Sequence, residues 1–479
     1  MNLKVSWYSD LKLESHDPAN IQFAAPAVLL MNLYSSLLIY NNKSEIDFAL
    51  AEQLNWVSTS EVEFKLKPNL LSSKGDPITA EDAYLSFKRL MVKQTNTHGD
   101  LQNFLCPGVK LTRMDDECSG LKFKGNSLFL RAADPNLAKF ILPLITSCDF
   151  VIIPKKAIDW NSPDLKIVDY SNTSGPFFVE STNAKSEHLL KANKNSPLYD
   201  INMPQSVEIK PVLDTTSPIK IKNGEIDMIT TIDRARPEDL LQFENNNEFS
   251  LHQTSGLEVT KLQFTSKGRS NLTEKERLSF GFYIKNKMIS SWSKETVFKE
   301  TVQFFPAFGE AGLTEDKLSE LRKLYGEAEV LPKKKIVISV EGYRLEEFKE
   351  LFSDTQNIEF VKFTGRPSLK KIEEMEDGYI VPGDTGFIEN ISLISYYMTT
   401  GSFGYDDKKS ANKWIQDYIK IDEKSERLAK LKQLHFEVLA KGIIVPISIT
   451  PYYAVARKDW KLDFHRHFAG TPLWMMRKN

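Results

Sequence analysis

The chain is poor in cysteine. Three residues, Cys106, Cys118 and Cys148, stand among 479, too few for a disulfide scaffold. Their spacing does not suggest a zinc site. Cys106 and Cys118 bracket a turn-like segment, Pro107-Gly108 through Asp115-Asp116. A local disulfide in an oxidising compartment and three independent thiols are equally compatible with that spacing. Long apolar runs are missing as well. The longest uncharged stretch, Pro18 to Asn42, is broken by Pro26 and carries Asn20, Gln22, Asn32, Ser35 and Ser36. A membrane span needs about 20 predominantly apolar residues, so this stretch reads as a buried loop followed by a core helix. No secretory signal opens the chain. Met1 leads directly into Leu3-Lys4-Val5-Ser6-Trp7-Tyr8, which alternates like a strand. Either the protein is cytoplasmic or a leader was removed ahead of Met1.

An excess of one charge is also lacking. The 62 basic residues nearly cancel the 64 acidic ones, leaving a net charge of −2. A dominant nucleic-acid surface would leave a basic excess. There is no P-loop, G-x-G-x-x-G, H-E-x-x-H or G-x-S-x-G motif. Gly309 and Gly312 do not continue into a phosphate loop. Histidines number seven, and the one suggestive pair, His465 and His467, reads as solvated surface on a basic tail. That tail, Arg457 to Asn479, reads as a solvated face, with docking to an acidic partner as the alternative. The acidic pairs Asp115-Asp116 and Asp406-Asp407 fall in loop-like stretches and read as solvated, not as the paired carboxylates of a glycosidase. No enzyme, metal site or cofactor is therefore expected.

What is present is an ordinary globular composition, 41% hydrophobic and 26% charged. The length is about three domains' worth at roughly 150 residues each. Phe64 to Leu71 alternates and meets the turn Ser72-Ser73-Lys74-Gly75-Asp76-Pro77. Thr79-Ala80-Glu81-Asp82 then opens a helix through Leu90, with Thr79 placed to accept from the amide near Asp82. Ser174-Gly175-Pro176 is a turn entering a strand at Phe177, with an antiparallel partner at His188 to Asn193. In the second half, strands at 259–265, 336–340, 358–363 and 379–381 alternate with helices at 273–290, 345–352 and 369–376. Ser425 to Ala440 is a long amphipathic helix, and Ile443 to Ile449 a buried strand of the first lobe. This alternation implies a parallel or mixed α/β sheet.

The run from Ser72 to Phe87, with Gly75, Pro77, Thr79, Ala80, Glu81 and Asp82 in order, closely resembles a signature of one family. That family is the bacterial extracellular solute-binding proteins of the oligopeptide, dipeptide and nickel-binding class, the ABC-transporter solute-binding proteins of family 5. Other pieces fall in the family's order: His16-Asp17-Pro18, Asn32-Leu33-Tyr34, Thr173-Ser174-Gly175-Pro176-Phe177, Asn223-Gly224-Glu225-Ile226-Asp227, and Leu262-Gln263-Phe264-Thr265. The resemblance implies an α/β, two-lobed periplasmic-binding-protein clamshell, type II and cluster C-like, with an extra subdomain on the first lobe. Residues 1–40, 170–255 and 446–479 would form the first lobe, 41–169 the subdomain and 256–445 the second lobe. The crossovers would fall near 255–265 and 442–449.

The same resemblance implies a monomer in the periplasm or outside the cell. It would capture a ligand, a peptide by default, by hinge closure and deliver it to an ABC permease. The alternative is a binding module of this fold that has lost transport and acts as a sensor or a partner-docking protein. In peptide-binding members an aspartate in a motif resembling A-D-Y-x-D-P holds the ligand's α-ammonium. Here the matching stretch is Val381-Pro382-Gly383-Asp384-Thr385-Gly386. Asp384 takes the aspartate's place and Thr385 the tyrosine's, and the D-P pair is missing. From the residues alone, Asp384 also reads as an Asx turn after a strand. The expected ligand-binding residues are Asp384, Gly383 and Thr385, with Phe23, Tyr396, Tyr397 and Tyr405 as aromatic lining. For a ligand carboxylate, Arg344 and Arg366 stand as equal candidates.

Overall fold

The computed structural model describes residues 2–7, 12–21, 24–41, 45–93, 102, 104–146, 149–231, 233, 235–253, 258–292, 299–305, 310–326, 331–364, 370–383, 391–462 and 472–479. The chain divides into two compact units. One comprises Met1–Thr254 with Tyr452–Asn479, the other Ser255–Pro451.

The first unit is built on strands β1 (Asn2–Trp7), β2 (Phe177–Thr182), β3 (His188–Ala192), β4 (Ser206–Pro211), β5 (Met228–Ile229) and β6 (Phe249–Gln253), joined by the returning strand Tyr453–Arg457. Among the described residues these seven form one sheet in the order β6, return strand, β5, β1, β4, β3, β2. β1 runs parallel to β4 and β5, and the remaining pairings are antiparallel. Leu3, Val5 and Trp7 of β1 are buried with Val207, Ile209 and Met228 in one core, as period-two side chains on a covered sheet should be. The turn before β2 depends on Gly175. A Cβ there would stand 2.6 Å from the Leu33 carbonyl carbon, and the Gly175 N–H donates to the Leu33 carbonyl at 2.9 Å.

A second sheet in this unit orders Ala51–Trp56, Glu61–Leu66, Ser127–Arg131 and Leu121–Lys124, all antiparallel. Helix α1 spans Ala24–Leu33, and α2, Ala80–Lys93, is the helix expected after the Ser72–Pro77 turn. Its N-terminal cap runs opposite to the expected direction. Asp82 accepts both the N–H and the hydroxyl of Thr79, each at 2.9 Å, the reciprocal half of a capping box. The other Asp82 oxygen accepts the Lys155 amide at 2.8 Å. Cys106 and Cys118 are disulfide-bonded, with their Cα atoms 5.4 Å apart. The local-disulfide reading thus holds; Cys148 lies outside the described residues.

The second unit is built on β7 (Glu258–Phe264), β8 (Ile336–Val340), β9 (Ile358–Lys362), β10 (Gly378–Val381) and β11 (Ile444–Thr450). Among the described residues its sheet runs Lys299–Glu300, β11, β7, β10, β8, β9. β8 is parallel to β9 and β10, and β7 lies antiparallel to β10 and β11. Its helices include α3 (Glu274–Trp292), α4 (Ile391–Thr399), α5 (Lys408–Ile419) and α6 (Lys424–Ala440), with others at Ser266–Asn271, Glu315–Gly326 and Leu345–Leu351. Leu262, Phe264, Phe280, Ile284, Ile338 and Val445 share its core.

Two expectations change. The strand anticipated at 443–449 in the first lobe forms as β11 in the second unit's sheet, because it pairs along the length of β7. The helix anticipated at 369–376 reduces to a single 3₁₀ turn, Ile372–Glu374, none of whose residues is buried. Without an apolar stripe, that segment lacks the packing that stabilises short helices.

Candidate functional site

The parallel strands β8, β9 and β10 all end on one side of the second sheet. In open α/β sheets, ligands collect beyond the carboxyl ends of such strands. A cavity of about 250 Å³ lies there, lined from β7, the segment after β9, the end of β10, α4 and the loop behind α4.

β7 contributes Lys261, only 3% exposed. The register with β11 shifts between Thr260 and Lys261, where Thr260 meets Ser448 and Lys261 meets Pro446. Proline cannot donate to a ladder and is tolerated in a sheet interior at bulges. The Lys261 ammonium lies 5.0 Å from the centre of the Phe304 ring, a cation–π distance. Phe304 in turn meets Tyr397 edge-on at 5.3 Å, and Tyr397 stacks on Phe403 at 4.9 Å. His435 anchors this cluster: its Nε2 accepts the Phe304 and Phe305 amides at 3.0 and 3.2 Å. The Nδ1 of His435 therefore carries the proton donated to the Ala311 carbonyl at 3.0 Å. Burial holds the His435 pKa down to about 3, against the upward pull of the Ala311 bond.

Gly383 closes the end of β10 by exchanging amide hydrogen bonds with Val259, at 3.0 and 3.2 Å. Across the cavity, Arg269 donates to the Phe264 carbonyl at 2.6 Å and to the Ser266 hydroxyl at 3.2 Å, and it pairs with Asp406. Its Nε is buried and meets no hydrogen-bond partner. Tyr379 lines the same space, and its phenol is pushed well above the ordinary tyrosine range by burial and, secondarily, by Tyr396. Gln263 donates to the Ser402 carbonyl at 3.4 Å, and the Thr400 and Ser402 hydroxyls lie 2.8 Å apart.

Of the sequence-predicted residues, Gly383, Tyr396 and Tyr397 line this cavity and Tyr405 does not. Asp384, Thr385, Phe23 and Arg366 lie outside the described residues, as do His465 and His467. Arg344 is engaged elsewhere, with Glu347 at 2.8 Å and with its guanidinium 4.6 Å from the Trp292 ring. Sequence reasoning missed Lys261 and Arg269. Lys261 sits in a strand that also carries Glu258, Thr260 and Gln263, and Arg269 in a Ser-Lys-Gly-Arg run, so neither pattern marked its residue.

The first unit has its own cavity of about 1040 Å³, beside the buried Asp17–Arg89 pair. Arg89 also donates to the Leu165 carbonyl at 2.8 Å. No group of three or more residues able to hold a metal ion occurs among the described residues. No described helix is long and apolar enough to cross a membrane.

Residues 45–278 match the family model for bacterial extracellular solute-binding proteins, family 5. Over those residues the chain is similar to that family. It is a family of binding proteins. No curated protein matches the chain. Among solved structures, the Escherichia coli murein tripeptide binding protein MppA superimposes with a TM-score of 0.76 at 13% identity, covering 100% of this chain and 98% of that one. NikA from Brucella suis, in complex with Fe(III)-EDTA, gives 0.80 at 14% identity, covering 99% and 100%. Haemophilus influenzae OppA, in complex with RPPGFSPFR, gives 0.75 at 13% identity, covering 100% and 98%. The chain thus shares the two-lobed α/β binding-protein fold over its full length.

Proposed function

We propose that the chain captures a solute, with peptides as the default class, and delivers it to an ABC permease from outside the cytoplasm. The observation that carries this reading is the cavity at the carboxyl ends of β8, β9 and β10, walled by Lys261, Arg269 and the Tyr396–Tyr397 pair. The Cys106–Cys118 disulfide supports an extracytoplasmic location, since such bonds persist mainly in oxidising compartments. MppA, a murein tripeptide binding protein, and OppA, solved in complex with the peptide RPPGFSPFR, favour the peptide class. In this reading Gly383, Asp384, Thr385, Tyr396 and Tyr397 contribute ligand contacts, with Phe23 as a further aromatic contact.

The test is native mass spectrometry of the purified protein, followed by denaturation and identification of what is released. A co-purified peptide mixture is the expected result. A single non-peptide compound would replace the peptide class. An empty protein whose melting temperature no peptide or metabolite raises would turn the assignment to a partner-docking module, the alternative that the altered stretch around Asp384 keeps open.

A further inference from the structure

Two residues in the wall of the second unit's cavity lean on one ring, Phe304, that is not itself in the wall. Lys261, from β7, holds its ammonium 5.0 Å from the centre of that ring. Tyr397, from α4, meets it edge-on at 5.3 Å, a favoured aromatic geometry. Phe403 closes the group. It meets Phe304 edge-on at 6.0 Å, stacks on Tyr397 and donates its amide to the Tyr397 carbonyl at 3.1 Å. This side of the wall therefore follows the position of Phe304. Phe304 is fully covered and lies outside the helices and strands, so neither a ladder nor a helical turn holds its backbone. Its amide and that of Phe305 both donate to a single atom, His435 Nε2 on α6, at 3.0 and 3.2 Å. On the other side of the imidazole, Nδ1 donates to the Ala311 carbonyl at 3.0 Å. Gln303 ties the same stretch to Leu313, whose amide its side-chain oxygen accepts at 3.0 Å, but that tie leaves the two phenylalanine amides untouched. A buried amide that loses its acceptor carries a full desolvation penalty. Without Nε2 the backbone at Phe304 and Phe305 must shift to find another partner, and the Phe304 ring shifts with it.

We infer that His435 is a positioning residue for solute capture: its Nε2 fixes Phe304, and through that ring it sets the places of Lys261 and Tyr397 in the cavity wall. The inference rests on the solute-capture reading and deepens it, because His435 is buried on α6 and is absent from the wall itself. The two sides of the imidazole can be tested apart. Glutamine brings an amide oxygen to the place of Nε2 and can accept the Phe304 and Phe305 amides; asparagine brings an amide NH₂ to the place of Nδ1 and can keep only the Ala311 tie.

The experiment uses the full chain, stripped of co-purified ligand, as wild type, His435→Gln and His435→Asn. Hydrogen exchange is followed over 301–305 and 396–403, and a library of tri- to pentapeptides is titrated by calorimetry. A thermal melt reports that each variant is folded. His435→Asn is expected to exchange faster over both stretches and to bind peptides about tenfold or more weakly, in line with an unpaired buried amide. His435→Gln should recover most of the affinity and the wild-type exchange at 396–403, although it too gives up one tie and melts lower. Phe304→Leu is the second variant should His435→Asn fail to fold. It keeps the backbone tie and removes the ring, so affinity should fall while exchange over 301–305 stays as in the wild type. Equal losses of affinity in His435→Gln and His435→Asn, or full affinity in folded His435→Asn, overturn the positioning role and leave solute capture standing. If the wild type binds none of the peptides, peptide capture falls, and exchange decides the positioning role alone: unchanged exchange over 396–403 in His435→Asn overturns it.

Discussion

Lys261 and Gly383 are paired by the absence of a side chain: a methyl group on Gly383 would lie 2.7 Å from the Lys261 nitrogen. The neighbour is the far end of a flexible chain, so it can yield cheaply, but the ammonium must then leave its place over Phe304. Gly383→Ala is therefore expected to change melting temperature little, as for a surface-like substitution within about 0.5 kcal/mol. It should alter affinity for whatever ligand the protein captures. Calorimetric titration beside a thermal melt separates the two. A large loss of stability with unchanged affinity would contradict this placement of Lys261.

His435 yields a prediction about pH. Its folded pKa, about 3, lies below the ordinary 6.5, and burial, with the nearby His16, lowers His188 to about 4. Both rings are favoured neutral in the fold, so the unfolded chain binds protons first as pH falls. Their contribution is fully present above about pH 6.5 and is lost progressively below it, at about 1.4 kcal/mol per pH unit for each group. Thermal unfolding between pH 7.5 and 4.5 should show this decline. His435→Ala leaves the Phe304 and Phe305 amides unpaired and should cost about 2–4 kcal/mol at neutral pH. It should also make the remaining pH dependence shallower, by one proton's worth. An unchanged slope would place the titration elsewhere.

Much of the fold was readable because the chain is clearly punctuated. The Ser72–Pro77 turn and the Thr79–Asp82 cap announced α2, and the run Ile336–Val340 announced β8. The site was less readable. Gly383 and the Tyr396–Tyr397 pair were reachable through a motif position and a helix. Lys261 reaches the cavity through a bulge opposite Pro446, and periodicity carries no mark of a bulge. Arg269 is brought in by the turn of chain after β7, a tertiary outcome. The 369–376 segment misled because charged residues suit an exposed helix as well as they suit a loop. The disulfide stayed open because spacing says nothing of where two Cβ atoms point.

The buried pair Asp17–Arg89 allows a test of the first unit by itself. Arg89 is fully covered and donates to Asp17 and to the Leu165 carbonyl, and Lys93 adds a second cation 3.3 Å from Asp17. Burial would raise the Asp17 pKa; the Arg89 hydrogen bond and charge more than offset it, so the carboxyl titrates below its ordinary value. That stability is present above the ordinary pKa and lost as pH falls through the folded one. Arg89→Met should cost about 3–5 kcal/mol, because it leaves a largely buried carboxylate with too little compensation. Adding Asp17→Asn should recover part of that loss. Additive costs in the double variant would mean the two groups do not act as a pair.

The disulfide makes the last prediction, and the backbone around it says how local the effect should be. Cys106 and Cys118 are 12 residues apart in sequence, and a loop of that length confines the unfolded chain by about 3 kcal/mol. Both flanks are pinned independently of the sulfurs. Gly120 accepts the Arg131 amide and Phe104 the Ala133 amide, each at 2.8 Å, so the loop has its own attachment at the strand Ser127–Arg131. Cys106→Ser with Cys118→Ser should therefore lower the melting temperature of the first unit without unfolding it at 25 °C. The affinity for the ligand captured at the second unit's cavity should stay as it was. Alkylation of the unfolded, unreduced protein should mark one cysteine of the three; reduction should expose the other two. Labelling of all three before reduction would remove the bond, and with it the support the bond lends to an extracytoplasmic location.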